Sequence, residues 1–312
     1  MLAAVLAAAC GSEAPREPAV PPEIRSQAPA ATRYAHELIF VGERGGEPLL
    51  VPLVFSTSGQ GAQVARTARG WLVHDETWDP FLDESWAAPS VGDPWRILPH
   101  GPLRVRAGGP TDVEALVYRQ GDRVLRLFPG SPISAWSRHE EMRYRLLKAM
   151  LEIGGAPING VMLEIHRVER EDEPGLKVFG ALDWLFLTDG EATHLVMAEA
   201  AGATDAGATD APPRTYAWTL RPHDENSWDE AEVRWLEMLP VQPARRDVPV
   251  RWSFRIPNAG IAGEAVSVGR KVEVGEERSG RRSVEAHHIV EGWILTGEER
   301  RRVYGILRHS QE

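Results

Sequence analysis

The chain has 312 residues, of which 43% are hydrophobic and 26% charged, with a formal net charge of −10 and one cysteine. That length suits one large or two moderate globular domains with a sizeable core. The acidic balance argues against a nucleic-acid or anionic-membrane surface, since both need concentrated positive charge. The single cysteine excludes an intrachain disulfide and a zinc–thiolate site.

The chain opens on an apolar run, Leu2 to Ala9, closed by Cys10. It is too short to span a bilayer, which needs roughly 20 apolar residues. Leu6, Ala8 and Ala9 before Cys10 resemble the lipobox of bacterial lipoprotein signal peptides, although no Lys or Arg precedes the run. The resemblance implies lipidation of Cys10 and a membrane-anchored place in the bacterial cell envelope, facing the periplasm or the exterior. Residues 11–33 are rich in Pro, Ala, Glu and Ser. Such a composition cannot offset its ordering entropy and reads as a disordered tether.

The body reads as all-β. His36–Val41, a Gly45-Gly46 turn and Leu49–Phe55 form a predicted hairpin. Short alternating runs follow at Trp71–His74, Leu103–Arg106, Val113–Tyr118 and Val124–Phe128. Ser137-Arg-His-Glu140 has the form of a capping box, and Met142, Leu146, Ala149, Met150 and Ile153 recur at helical spacing before Gly154-Gly155. This predicts a helix over Ser137–Ile153, within a connecting segment 137–155. The expected organisation is an N-terminal β lobe over 34–136 and a C-terminal β lobe over 156–312. A tandem repeat at Gly202–Ala206 and Gly207–Ala211 reads as a surface loop.

The C-terminal half carries an ordered set of features: Gly180–Asp183-Trp184 to Asp189-Gly190, Pro249–Trp252 to Pro257, Val290-Glu-Gly-Trp293, Gly297 and Val303-Tyr-Gly305-Ile-Leu307. In this order they resemble the tandem lipocalin-like family that includes carotenoid hydratases of the hydroxyneurosporene synthase type, AttH-like secreted proteins and some fungal pericyclases. The family tends to open on a Glu-Trp-Trp-Tyr-like strand, where this chain has Tyr34-Ala-His36-Glu37. The resemblance implies two lipocalin-like barrels or curved sheets, with an apolar ligand inside a lobe or between lobes.

Three clusters could carry chemistry. Trp71, His74, Trp78, Trp86, Trp95 and His100, with the acids interleaved among them, could line a cavity and keep a carboxyl protonated by desolvation; otherwise they form a Trp-rich core edge beside a solvated acidic loop. Trp184, Trp252 and Trp293 join Trp71, His74 and Trp78 as candidate ligand contacts. Strand alternation sends Met162, Glu164 and His166 to one side. Buried, Glu164 and His166 form a proton-transfer pair; exposed, they are the polar face of a half-wet sheet. Asp183 interrupts an apolar run, so it is turned outward or paired with a donor such as a Trp indole. His287 and His288 point to opposite faces and cannot easily share a metal. No His-x-His, HExxH or Asp-rich loop occurs elsewhere, so no metal is expected; nor is there a nucleophile elbow, phosphate loop or dinucleotide fingerprint, and no cofactor is expected.

The leading expectation is a lipid-anchored envelope protein that binds an apolar small molecule in a lipocalin-like cavity. The first alternative is a cofactor-free hydratase, cyclase or isomerase of an isoprenoid-like substrate, with Asp183, His166 and Glu164 as its acid–base groups. The second is an accessory lipoprotein partnered with an envelope transporter.

Overall fold

The computed structural model describes residues 32–311, apart from 60, 75, 110, 111, 140, 141, 170–182, 201–213, 222, 223, 279 and 280. Cys10, the tether and the tandem repeat lie outside the described residues.

The first sheet contains β1 (Arg33–Arg44), β2 (Glu47–Ser58), β3 (Gln63–His74), β4 (Thr77–Pro89), β5 (Leu103–Ala107), β6 (Val113–Gln120), β7 (Arg123–His139), β8 (Met142–Ile153) and β9 (Ala156–Glu169). The second contains β10 (Asp183–Thr188), β11 (His194–Ala200), β12 (Arg214–Arg221), β13 (Asp224–Trp228), β14 (Glu232–Val241), β15 (Arg246–Ile256), β16 (Ile261–Arg278), β17 (Arg281–Thr296) and β18 (Glu299–Gln311). Both sheets are antiparallel. Their strand orders, β4-β3-β2-β1-β9-β8-β7-β6-β5 and β13-β12-β11-β10-β18-β17-β16-β15-β14, become identical when shifted by nine. Each sheet therefore curls through nine strands and stays unpaired between its fourth and fifth. Residues 90–102 connect across that gap in the first lobe, and only 229–231 do so in the second. The protein is all-β with two curled, lipocalin-like lobes.

The helix expected from Ser137 is not formed. Ser137 lies in β7, and Met142–Ile153 is β8, paired along its length with β9. Met142 and Tyr144 are buried with Arg143 exposed between them. Further along, Leu146 faces the other lobe while Leu147, Ala149 and Leu151 face the interior of their own. A strand buried on both faces carries apolar residues at odd and even positions, and here that mixture imitates a 3.6-residue period. Gly154-Gly155, read as a helix stop, is a two-residue hairpin between paired Ile153 and Ala156, with φ of 60° and 83°. Two positive φ values match the twist of the flanking strands, and glycine adopts them without steric cost. Gly45-Gly46 turns β1 into β2 in the same way, as expected. The lobe boundary moves as a result: β9, which carries Glu164 and His166, closes the first sheet against β1 and does not open the second.

Alternation sorts the core into layers. From β1 and β9, Leu38, Phe40 and Met162 fill the first lobe's lumen, while Ile39, Val41, Leu163 and Ile165 face the second lobe. From β10 and β18, Leu185, Leu187 and Leu307 fill the second lumen, while Trp184, Phe186 and Ile306 face back. The lobes thus pack sheet against sheet, with Trp136, Tyr144 and Trp218 joined across the seam at ring separations of 5.0–6.2 Å. The closing pair β10–β18 is tight: a Cβ at Gly305 would collide with the carbonyl of Phe186.

Charges also cross the seam. Glu37 has no exposed surface; it forms an ion pair with Arg167 of its own sheet at 2.7 Å and accepts a hydrogen bond from Arg308 of the other. Burial pushes its carboxyl up, but Arg167 and Arg308 outweigh that and hold it at about 2. Arg302 binds Glu43 at 3.0 Å and reaches the Gly46 carbonyl of the β1–β2 turn.

Candidate functional site

Both lumens contain buried polar groups, and both carry them on the paired closing strands. In the first lobe, His36 of β1 sits opposite His166 of β9, one pleat from Glu164. In the second, Asp183 of β10 sits opposite His309 of β18. The four strands place these groups because each interrupts an apolar alternation at a lumen-facing position.

The first-lobe group is the more elaborate. Glu164, 2% exposed, is approached by His36 Nε2 at 2.8 Å and His166 Nε2 at 3.5 Å, both on Oε1. Its Oε2 accepts from Arg145 Nε of β8 at 2.6 Å, and Arg145 also donates to Asp112 at 2.7 Å. Burial opposes ionisation of Glu164, yet its polar contacts with His166 and His36 and the charge of Arg145 hold its carboxyl well below the usual carboxylate range. Burial pushes His166 below its ordinary value. The Trp95 carbonyl accepts from His36 Nδ1 at 2.9 Å, and the two imidazole rings meet edge to face at 4.2 Å.

Trp95 belongs to the 90–102 connection, which lies against the lumen. Its indole donates to the Arg167 carbonyl at 3.1 Å, its ring lies 5.9 Å from His166, and Arg66 ties Arg96 down through a 2.7 Å bond to the carbonyl. Trp86 stacks on His100 at 4.3 Å, and Ile97 is buried in the lumen core. A cavity of about 10 Å³ remains, lined by His36, Tyr34, Arg66, Trp86 and Trp95 among others. That is about the space of one water molecule.

The second-lobe pair is sealed. Asp183 accepts from His309 Nδ1 at 2.9 Å and from the Trp235 indole at 2.6 Å, while Gln311 occupies His309 Nε2 at 2.8 Å. Of the two alternatives for Asp183, an indole partner is the one found. Asp183 therefore does not join Glu164 and His166, which lie in the other lobe.

The aromatic candidates do not converge on one cavity. Trp71, Trp78 and Trp184 pack at the seam between lobes, where Lys271 lies 4.1 Å from the Trp71 ring and Arg308 lies 5.1 Å from that of Trp184. His74 ends β3, partly buried and not without a partner. Trp252 is fully buried in the second lumen beside His288, whereas His287 faces Trp78 across the seam. Trp293 lies under Arg300 beside an open groove on the outer face of the second sheet. Sequence reasoning missed His36 and Arg145, whereas Trp86 and Trp95 of the first candidate cluster do line this cavity. The signal for His36 was the one used for Asp183: a polar residue inside an apolar strand.

No protein-family profile matches this chain, and no curated protein matches its sequence. Solved structures do match. Kievitone hydratase from Nectria haematococca is 8% identical over 88% of this chain and 87% of its own, with a TM-score of 0.53. An AttH protein from Nitrosomonas europaea is 10% identical over 94% of this chain and 98% of its own, with a TM-score of 0.49. CghA with Sch210972 is 11% identical over 90% and 88%, with a TM-score of 0.43. The likeness to kievitone hydratase is one of fold, and it extends the resemblance carried by the C-terminal half to nearly the whole chain.

Proposed function

We propose that the first lobe is an enzyme that adds water to, or removes it from, an unsaturated apolar small molecule. The observation that supports this reading is the Glu164 group. A buried carboxylate, two imidazoles and a guanidinium converge in an otherwise apolar lumen, beside room for one water and under two tryptophans. Burying polar groups at this density costs stability, and such clusters are retained most often at functional sites. The shared fold with a hydratase agrees with the chemistry.

The test is turnover of a panel of conjugated alkenes and prenylated phenols in ¹⁸O-labelled water, followed by mass spectrometry. Wild type should incorporate label into at least one compound. Folded Glu164→Gln should lose about 10²–10⁴ in rate, the usual share of a positioned proton-transfer group. Undiminished turnover in that variant rejects the site.

A second reading, an accessory lipoprotein docking on an envelope transporter, is favoured by the outer strand β14, where Trp235, Leu236 and Met238 stay exposed. A photo-crosslinker at position 236 should then capture one transporter subunit in cells, and a control at position 122 should not. Either reading is compatible with lipidation at Cys10, which metabolic labelling with a fatty-acid analogue and a Cys10→Ser control would detect.

A further inference from the structure

We infer that His36, Glu164 and His166 form a binding site for one divalent transition-metal ion of the zinc type. The argument starts from lone pairs. The Trp95 carbonyl takes the proton of His36 Nδ1, so in the neutral ring Nε2 carries a lone pair. That lone pair faces a carboxylate oxygen 2.8 Å away. His166 Nε2 is buried, has no hydrogen-bond partner of good geometry, and points at the same oxygen from 3.5 Å. With both imidazoles neutral, three electron-rich atoms face one another here. One proton bridges a single pair, whereas a metal ion bridges all three.

The spacing suits that ion. Bonds of about 2.0–2.2 Å at angles between square and tetrahedral put neighbouring ligand atoms roughly 2.8–3.6 Å apart. The two separations above fall inside that range, and all three donor atoms lie within 4.8 Å of one another. Two imidazoles and one carboxylate form a facial set that leaves positions open, and His36 also lines the water-sized cavity.

The surroundings supply what metal ligands ordinarily need. A backbone carbonyl fixes the His36 tautomer, and Arg145 anchors the second oxygen of Glu164. Charge also favours the ion: two carboxylates, Glu164 and Asp112, meet one guanidinium, Arg145, which leaves the group at −1 with neutral imidazoles.

This inference concerns the same lumen as the proposed reaction but does not require it, because its test reads binding and not turnover. Chelator-treated, folded protein is titrated with Zn²⁺ by calorimetry and with Co²⁺ by visible absorption. The expected result is one ion per chain at micromolar affinity or better, with at least a tenfold loss in Glu164→Gln and in His166→Ala. His287→Ala serves as a control, since Glu273, Glu285 and His287 form a second, more exposed cluster that could hold an ion; its binding should be unchanged. Where a lumen variant fails to fold, paramagnetic shifts from Co²⁺ in wild type must fall on His36 and Trp95 and not on Trp78. Absence of stoichiometric binding, loss only in His287→Ala, or shifts centred on Trp78 overturns the site. A chain that turns over without binding metal defeats this inference alone; one that binds metal but has no turnover defeats only the proposed reaction.

Discussion

The seam between the lobes offers a sharp test in Glu37→Gln. The variant keeps the side chain's size and removes its charge, leaving Arg167 and Arg308 facing each other around a neutral amide. Two routes give the magnitude. Lowering a carboxyl from 4.5 to about 2 amounts to about 3 kcal/mol of preference for the charged form in the folded state. Breaking a buried ion pair by removing one partner costs about 3–5 kcal/mol. Urea denaturation at pH 7, followed by tryptophan fluorescence, should therefore show the variant less stable by about 3 kcal/mol or more. The sign with pH is fixed. The folded carboxyl titrates below the unfolded one, so its contribution is complete above about pH 4.5 and fades as pH falls through 2. The gap between wild type and variant should close over that range. A difference below 1 kcal/mol at pH 7, or one that stays constant down to pH 2.5, would refute the assignment of Glu37 as the charge that ties the lobes.

Burial holds His194 at about 4 and His288 at about 3, against an ordinary 6.5. Both are neutral when folded, so stability should fall as pH drops from 6.5 towards 3, by about 3 kcal/mol for His194 alone; His194→Gln should flatten that slope in acid melts. Asp183→Ala strips His309 and the Trp235 indole of their acceptor and should cost about 1–3 kcal/mol in urea, the penalty for two unmet donors, while leaving first-lobe turnover intact. Gly305→Ala should lower the thermal midpoint sharply, since its methyl meets the Phe186 carbonyl, whereas Gly121→Ala, with open space around it and φ of 56°, should cost about 1 kcal/mol.

Much of the fold was legible because the hairpin signals are strong. Gly45-Gly46, Asp189-Gly190, the short apolar runs of β1 and β2 and the alternation of β6 each point to strand or turn. β8 was misread because a strand packed on both sides loses its period of two, and Gly-Gly ends a helix as readily as it turns a hairpin. The site was half legible. Glu164 and His166 share a strand, so alternation alone brings them together. His36 reaches them only through the β1–β9 pairing across most of the first lobe, and Trp95 only through a connection without repetitive structure. Pairing of the first strand with the ninth is a tertiary event with no local trace. Asp183 showed the limit from the other side: its indole partner was foreseeable as a type of contact, but not as Trp235.

The nine-strand offset between the sheets has a consequence for how such a molecule can change. A doubled architecture carries a spare. One copy bridges its missing rung with a three-residue link at 229–231 and keeps His309 locked between Asp183 and Gln311. The other has a span long enough to roof its hollow, and its buried charges collect beneath that roof. Replacing the 229–231 link with a longer span patterned on 90–102 is accordingly where a second roofed chamber could be engineered.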